Sequence, residues 1–197
     1  MTDKLEYLRN EIEHNGIYRC EPGTKIPAKS AGKFYTWQFY LRRCMYDPKF
    51  INAAADLLCE KLTSTQVQIG ACEDAGLVLG MALADRLNQP MISIKKKPKE
   101  YGLQNKLEGR LTGLPILLVD DLAGSQVTLR TSRQLLTTLG IDVAAEYATL
   151  INKTQGTHDT YLNDMQLISL FTCDDFKLSW QDYTTEYNKS PAFGRSY

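Results

Sequence analysis

Pro115-Ile116-Leu117-Leu118-Val119-Asp120-Asp121-Leu122-Ala123-Gly124-Ser125-Gln126-Val127-Thr128-Leu129-Arg130 is an apolar run that ends in two adjacent acids and a turn of small residues. An apolar run of this length bounded by a turn reads as a buried strand. In an open α/β sheet the carboxyl ends of the strands face a crevice, so Asp120 and Asp121 would present carboxylates there. The backbone amides of the turn, at the start of the next helix, suit an anion. A diol on the acids and a phosphate on the turn both fit the pattern.

Outward from this stretch, short apolar segments alternate with helical ones. The pattern predicts strands over 66–70, 90–95, 115–120, 142–151 and 166–171, and helices over 75–88 and 126–139 with Gly140 as C-terminal cap. That alternation implies an α/β fold: a mostly parallel, twisted sheet with helices on both faces. Upstream, Leu5, Leu8 and Ile12 recur at helical spacing, and Gly16 is placed to stop that helix. Residues 24–41 read as a loop leading into an extended aromatic strand with Phe34, Tyr35, Trp37 and Tyr40. Asp47-Pro48 then opens a helix with Phe50, Ile51, Ala54, Leu57 and Leu58 on one face. We expect an N-terminal hood over 1–45, a core over 46–188 and a loosely ordered tail over 189–197. Between the second and third strands of the alternation, Lys95-Lys96-Lys97-Pro98-Lys99-Glu100-Tyr101-Gly102 begins a long, polar, basic connection. Long connections in compact domains are often functional lids.

The chain has 197 residues, enough for one domain with a two-sided core. Its 23 Lys and Arg balance its 23 Asp and Glu, so no global field draws it to nucleic acid or an anionic membrane. A small molecule or another subunit is the expected partner. No apolar stretch reaches membrane-spanning length, and the first residues are charged where a signal peptide would be apolar, which implies a soluble, cytoplasmic protein. Five cysteines, spread out and without a Cys-x-x-Cys pair, read as reduced thiols rather than disulfides or a zinc cluster. With only His14 and His158, histidine-based nucleophilic catalysis and multi-histidine metal sites are disfavoured.

Residues 116–128 keep the frame of a known signature: four apolar residues, two acids, an apolar residue, then a small polar turn closed by Thr or Ser. With the basic loop at 95–102, the following Glu108-Gly109, and the N-terminal Lys29-Ser30-Ala31-Gly32-Lys33-Phe34-Tyr35, the chain resembles the type I phosphoribosyltransferases, the orotate branch in particular. The resemblance covers about residues 25–153. It implies Mg²⁺-dependent transfer of a 5-phosphoribosyl group from phosphoribosyl pyrophosphate to a pyrimidine base, orotate, with release of pyrophosphate. Amides of Ala123, Gly124, Ser125, Gln126, Val127 and Thr128 would hold the 5′-phosphate. Asp120 and Asp121 would take the ribose hydroxyls and lie near the developing cation, while residues 70–76 would let backbone approach the pyrophosphate. Lys99, on the loop, would neutralise the leaving pyrophosphate, assisted by Lys95, Lys96 and Tyr101. Lys29, Phe34, Tyr35 and Lys153 would border the base. In the family the loop reaches the neighbouring active site, so the resemblance also implies a homodimer with loop 96–108 crossing between subunits.

The chain departs from that family at informative positions. Gln126 stands where the turn usually has a glycine, which implies a backbone penalty unless the turn is rearranged, with Gly124 as the candidate for the permissive role. Asn152-Lys153 stands where orotate enzymes carry Asp-Arg, so the base site would have an ammonium in place of a bidentate guanidinium. These departures keep two further readings open: a non-catalytic binder of phosphorylated ribose ligands, and a phosphoribosyltransferase for another base.

Overall fold

The computed structural model describes residues 2–27, 34–96, 105–154 and 162–178. Helix α1 (Thr2–Glu11) passes into a π-helical turn (Ile12–Gly16), followed by strands β1 (Ile17–Arg19), β2 (Ile26–Pro27), β3 (Phe34–Tyr35) and β4 (Trp37–Phe39). β1 pairs antiparallel with β4, and β2 with β3. The expected single aromatic strand is thus two short ones separated by a bend at Thr36. On β4 the period-two pattern holds: Trp37 and Phe39 are buried and Gln38 is exposed. Trp37 meets Phe39, and Phe39 meets Phe176, edge to face.

After a short helix α2 (Arg42–Met45), helix α3 (Pro48–Lys61) starts as its sequence predicts. The Asp47 carboxylate accepts from the Lys49 amide at 2.8 Å, and Pro48 occupies the first turn. All five apolar residues assigned to its inner face are buried.

The remaining elements are β5 (Gln68–Cys72), α4 (Gly76–Leu87), β6 (Met91–Ile94), β7 (Leu107–Glu108), β8 (Ile116–Val119), β9 (Leu122–Ala123), α5 (Val127–Thr138), β10 (Val143–Asn152) and β11 (Gln166–Thr172). The main path of the sheet runs β11-β10-β8-β5-β6-β7, with β9 beside β10. Every pairing in it is parallel except β6 with β7. Gly140, at φ +69°, follows α5 in the left-handed conformation that suits glycine. Helices cover both faces, and β8 shows how. Leu117 and Val119 pack with Leu57 and Leu58 of α3 and Leu79 and Leu83 of α4, whereas Ile116 and Leu118 pack with Leu129 and Leu136 of α5. Successive side chains of one strand therefore feed two cores, which is why its sequence is continuously apolar rather than alternating.

The connection after β6 does more than form a loop. β7 returns as an antiparallel edge strand with Leu107 opposite Ile94 and Glu108 opposite Ser93, and the Lys95 amide donates to the Lys106 carbonyl at 2.8 Å. Among the described residues no helix is long and apolar enough to cross a membrane.

Candidate active site at the carboxyl edge of the sheet

From β5 the chain crosses to β6 on one side, while β8 lies on β5's other side. The strand order reverses between β5 and β8, so their carboxyl ends open onto a switch-point crevice. The turn after β5 (73–75), the acid pair and turn after β8 (120–126), Lys96 after β6 and Lys153 after β10 all leave this edge of the sheet.

Asp120 is 8% exposed, and its Oδ1 accepts from the Asp121 amide at 2.9 Å. Its own amide donates to the Ala148 carbonyl at 3.1 Å, so β10 fixes the acid's backbone. Burial, and then the neighbouring Asp121 carboxylate, holds the Asp120 carboxyl well above the usual carboxylate range. Burial also raises Asp121, against the lowering effects of Asp120, Arg42 and Lys96. Two acids crowded out of water are stabilised by hydroxyl donors or by a cation, and a ribose diol beside an electron-poor carbon supplies both. The start of α4 presses on this pair. A Cβ added at Gly76 would lie 2.7 Å from the Val119 carbonyl oxygen and 3.1 Å from Asp120 Cα, so only glycine allows the helix this close.

In the following turn Ala123 is buried, Gly124 and Thr128 are half-buried, and Ser125 and Val127 are exposed. Gln126 corrects one expectation. Gly124 does not take over the permissive role: Gln126 itself adopts the left-handed conformation, at φ +56° and ψ 8°. Its side chain does not cap α5 but turns inward, 5% exposed, where Nε2 donates to the Tyr147 hydroxyl at 2.5 Å. A left-handed non-glycine residue costs about 1–2 kcal/mol, and a buried hydrogen bond returns a similar amount, about 1 kcal/mol. The turn is thus kept without its usual glycine.

Lys96 is exposed, and its charge acts on both acids. Arg42, which the sequence did not single out, also acts on Asp121 and lies 3.8 Å from Asp74 in the turn after β5. Nothing in its local pattern marks it, because α2 is brought to the crevice by long-range packing. Lys95 is placed differently from the expectation. Its side chain is 5% exposed and paired with Glu108, so the ammonium ties the two ends of the basic connection together. Lys29, Lys99 and Tyr101 lie outside the described residues.

The Lys153 amide donates to the Ala123 carbonyl at 2.7 Å, joining this lysine to the turn after the acid pair. Lys153 Nζ lies 4.8 Å from the centre of the Tyr35 ring and 4.5 Å from that of Trp37. The residue is 7% exposed, and burial lowers its pKa from 10.5 to about 8. Tyr35 was assigned to this region from sequence and Trp37 was not. Trp37 opens β4 beyond the bend at Thr36, so the local pattern does not tie it to Tyr35 and only the fold brings both rings to the lysine. Phe34, beside Tyr35 on β3, is half-buried. Cys72, at the end of β5, is not a nucleophile here: burial pushes its thiol up to about 12, and Sγ lies 3.3 Å from Ser132 Oγ.

No family model matches the chain. Orotate phosphoribosyltransferase of Methanocaldococcus jannaschii is 26% identical over 121 residues, which are 61% of this chain and 66% of that protein. The Caenorhabditis elegans enzyme is 27% identical over 138 residues, 68% of this chain and 61% of that one. The matched stretch therefore spans a little under two thirds of either relative. The orotate phosphoribosyltransferase of Mycobacterium tuberculosis, solved with Fe(III) dicitrate, superposes with a TM-score of 0.72 at 18% identity, covering 89% of this chain and 99% of that one. The same enzyme holding 5-phospho-α-D-ribosyl 1-diphosphate gives a TM-score of 0.66 at 15% identity, covering 89% and 92%. The fold is that of the type I phosphoribosyltransferases. In sequence the chain resembles their orotate members, and the stretch at 116–128 that resembles their signature turns into the switch-point crevice.

Proposed function

We propose that the chain is an orotate-phosphoribosyltransferase-like enzyme. It transfers the 5-phosphoribosyl group from phosphoribosyl pyrophosphate to a ring nitrogen of a pyrimidine, orotate, and releases pyrophosphate. The observation that supports this most is the convergence at one sheet edge of a buried acid pair, a left-handed turn opening a helix, and a lysine between two aromatic rings.

In this reading the amides of 123–128, with the Ser125 and Thr128 hydroxyls, bind the 5′-phosphate. Asp120 and Asp121 accept from the ribose hydroxyls and stabilise positive charge at the anomeric carbon as its bond to pyrophosphate oxygen breaks and the bond to the base nitrogen forms. The electron pair leaves with pyrophosphate and the proton of the base N–H is lost to solvent; Lys99 meets the pyrophosphate charge, with Lys96 and Arg42 beside the acids and Tyr101 on the loop. Lys95 serves indirectly, through its pairing with Glu108. Lys29, Phe34, Tyr35 and Lys153 border the base, the Lys153 ammonium facing a ring carboxylate. The acid pair also fits Mg²⁺, which binds through one or two carboxylates together with substrate phosphates. The ion, carried as the complex with phosphoribosyl pyrophosphate, would neutralise charge on the leaving group. A homodimer with loop 96–108 reaching the neighbouring site and a cytoplasmic location complete the proposal.

Purified protein incubated with Mg²⁺, phosphoribosyl pyrophosphate and orotate, uracil or a purine base should give nucleotide and pyrophosphate, with orotate the preferred base. Product from a purine alone would reassign the base, and binding of phosphoribosyl pyrophosphate without product from any base would make the chain a non-catalytic binder. Lys99→Ala should lower turnover at least about tenfold while leaving the melting temperature unchanged, as expected for a residue acting only on the leaving group; an unchanged rate would remove Lys99 from the mechanism.

A further inference from the structure

Gln126 is a polar residue of the signature turn whose side chain is buried rather than turned to the crevice. It is buried between two exposed neighbours, Ser125 and Val127, and its Nε2 reaches the hydroxyl of Tyr147 on β10. Tyr147 is itself fully buried. Its register holds it opposite Leu118 of β8 and Leu167 of β11, and it packs in the same apolar cluster as Leu118, Leu129 and Leu136. The phenol is therefore a fixed point under the turn. Gln126 also holds the start of the helix, because its carbonyl accepts from the Arg130 amide at 2.9 Å. One residue thus joins the left-handed backbone, the first turn of α5 and the centre of the sheet.

We propose that Gln126 and Tyr147 are positioning residues that hold the turn in its anion-binding shape before a phosphomonoester arrives. This rests on reading the turn as the 5′-phosphate site, and it adds two side chains that do not touch the phosphate. A glycine at 126 would adopt the same φ without cost but would leave the turn free to sample others. Gln126 accepts the backbone penalty and gains an anchor in the core. A turn fixed in advance loses less conformational entropy when it binds, so the expected gain lies in phosphate affinity rather than in bond-breaking. A contact that only fills the core would change stability and leave affinity alone.

The experiment uses the full chain and ribose 5-phosphate, a probe that carries the phosphomonoester without pyrophosphate or base. Tyr147→Phe keeps the ring and removes only the hydroxyl. Gln126→Met keeps the side-chain length and removes the amide, so the contact is broken a second way if the tyrosine variant does not fold. By calorimetry each should bind ribose 5-phosphate about five- to tenfold more weakly than the wild type. The KM for phosphoribosyl pyrophosphate should rise by a similar factor, with a smaller change in kcat. Folded variants that bind ribose 5-phosphate as tightly as the wild type would overturn the positioning role. Failure of the wild type to bind it would instead overturn the phosphate reading of the turn.

Discussion

Replacing Lys153 by methionine separates what this lysine costs the fold from what it contributes to the site. Burial lowers its pKa from 10.5 to about 8, which corresponds to about 3 kcal/mol of penalty for carrying the charge in the folded protein at neutral pH. The ring faces of Tyr35 and Trp37 return part of this, since each cation–π contact contributes about 0.5–2 kcal/mol. Methionine fills similar space without the charge, so Lys153→Met should stabilise the protein by about 1–3 kcal/mol at pH 7 and raise Tm by about 3–8 °C. The sign follows from linkage. Between pH 8 and 10.5 the unfolded chain keeps a proton that the folded one has lost, so wild-type stability rises with pH across that window. The advantage of the variant should therefore shrink to under about 1 kcal/mol by pH 10. Thermal melts of both proteins at pH 7 and pH 10 measure this. The same proton should appear in catalysis: wild-type kcat/KM for orotate falls above pH 8 as the ammonium is lost, and the variant is weak toward orotate with a flat profile there. A variant less stable than the wild type at pH 7, or equally advantaged at both pH values, would refute the buried, charge-penalised lysine.

The acid pair and its packing yield two more tests. Asp120→Asn should lower turnover by at least about a hundredfold, the scale of losing one preorganised electrostatic partner. Because burial and Asp121 raise the Asp120 carboxyl in the folded state, that carboxyl's stability contribution is present below its unfolded value of 3.8 and lost as pH rises through the higher folded one. The asparagine variant should accordingly melt higher than the wild type at neutral pH and show no such gain below pH 4; the opposite pH order would refute the assignment. Gly76→Ala places a Cβ 2.7 Å from the Val119 carbonyl oxygen, so α4 or the acid pair must shift. It should cost about 1–3 kcal/mol in denaturant melts, as overpacking does, and reduce kcat more than Gly140→Ala, which is strained by its φ of +69° but whose added Cβ meets open space; equal losses of kcat in the two variants would remove the close approach from the argument.

The legible part of this molecule was what local pattern determines. The four-residue aliphatic run of β8, the Asp47-Pro48 start of α3 and the strand–helix alternation after residue 66 each follow from short-range rules of burial, capping and period. The acid pair and its turn were legible as well, because a parallel strand must deliver its carboxyl end to the crevice edge. What the sequence concealed depends on partners distant in the chain. Trp37 and Lys153 are separated by 116 residues, and only the fold sets the ring over the ammonium. β7 is two residues long and exists through its pairing with β6. Lys95 reads as one more cation in a basic run until Glu108 returns beside it. Gln126 shows the limit most sharply. Taken alone, a glutamine in a glycine position argues for a damaged phosphate turn, but Tyr147, 21 residues away on another strand, supplies the contact that lets the turn keep its left-handed geometry. The physical requirement was for a left-handed backbone, which glycine permits cheaply and an anchored side chain can also sustain. A departure from a motif therefore weakens a functional reading only when the geometry the motif encodes is lost with it.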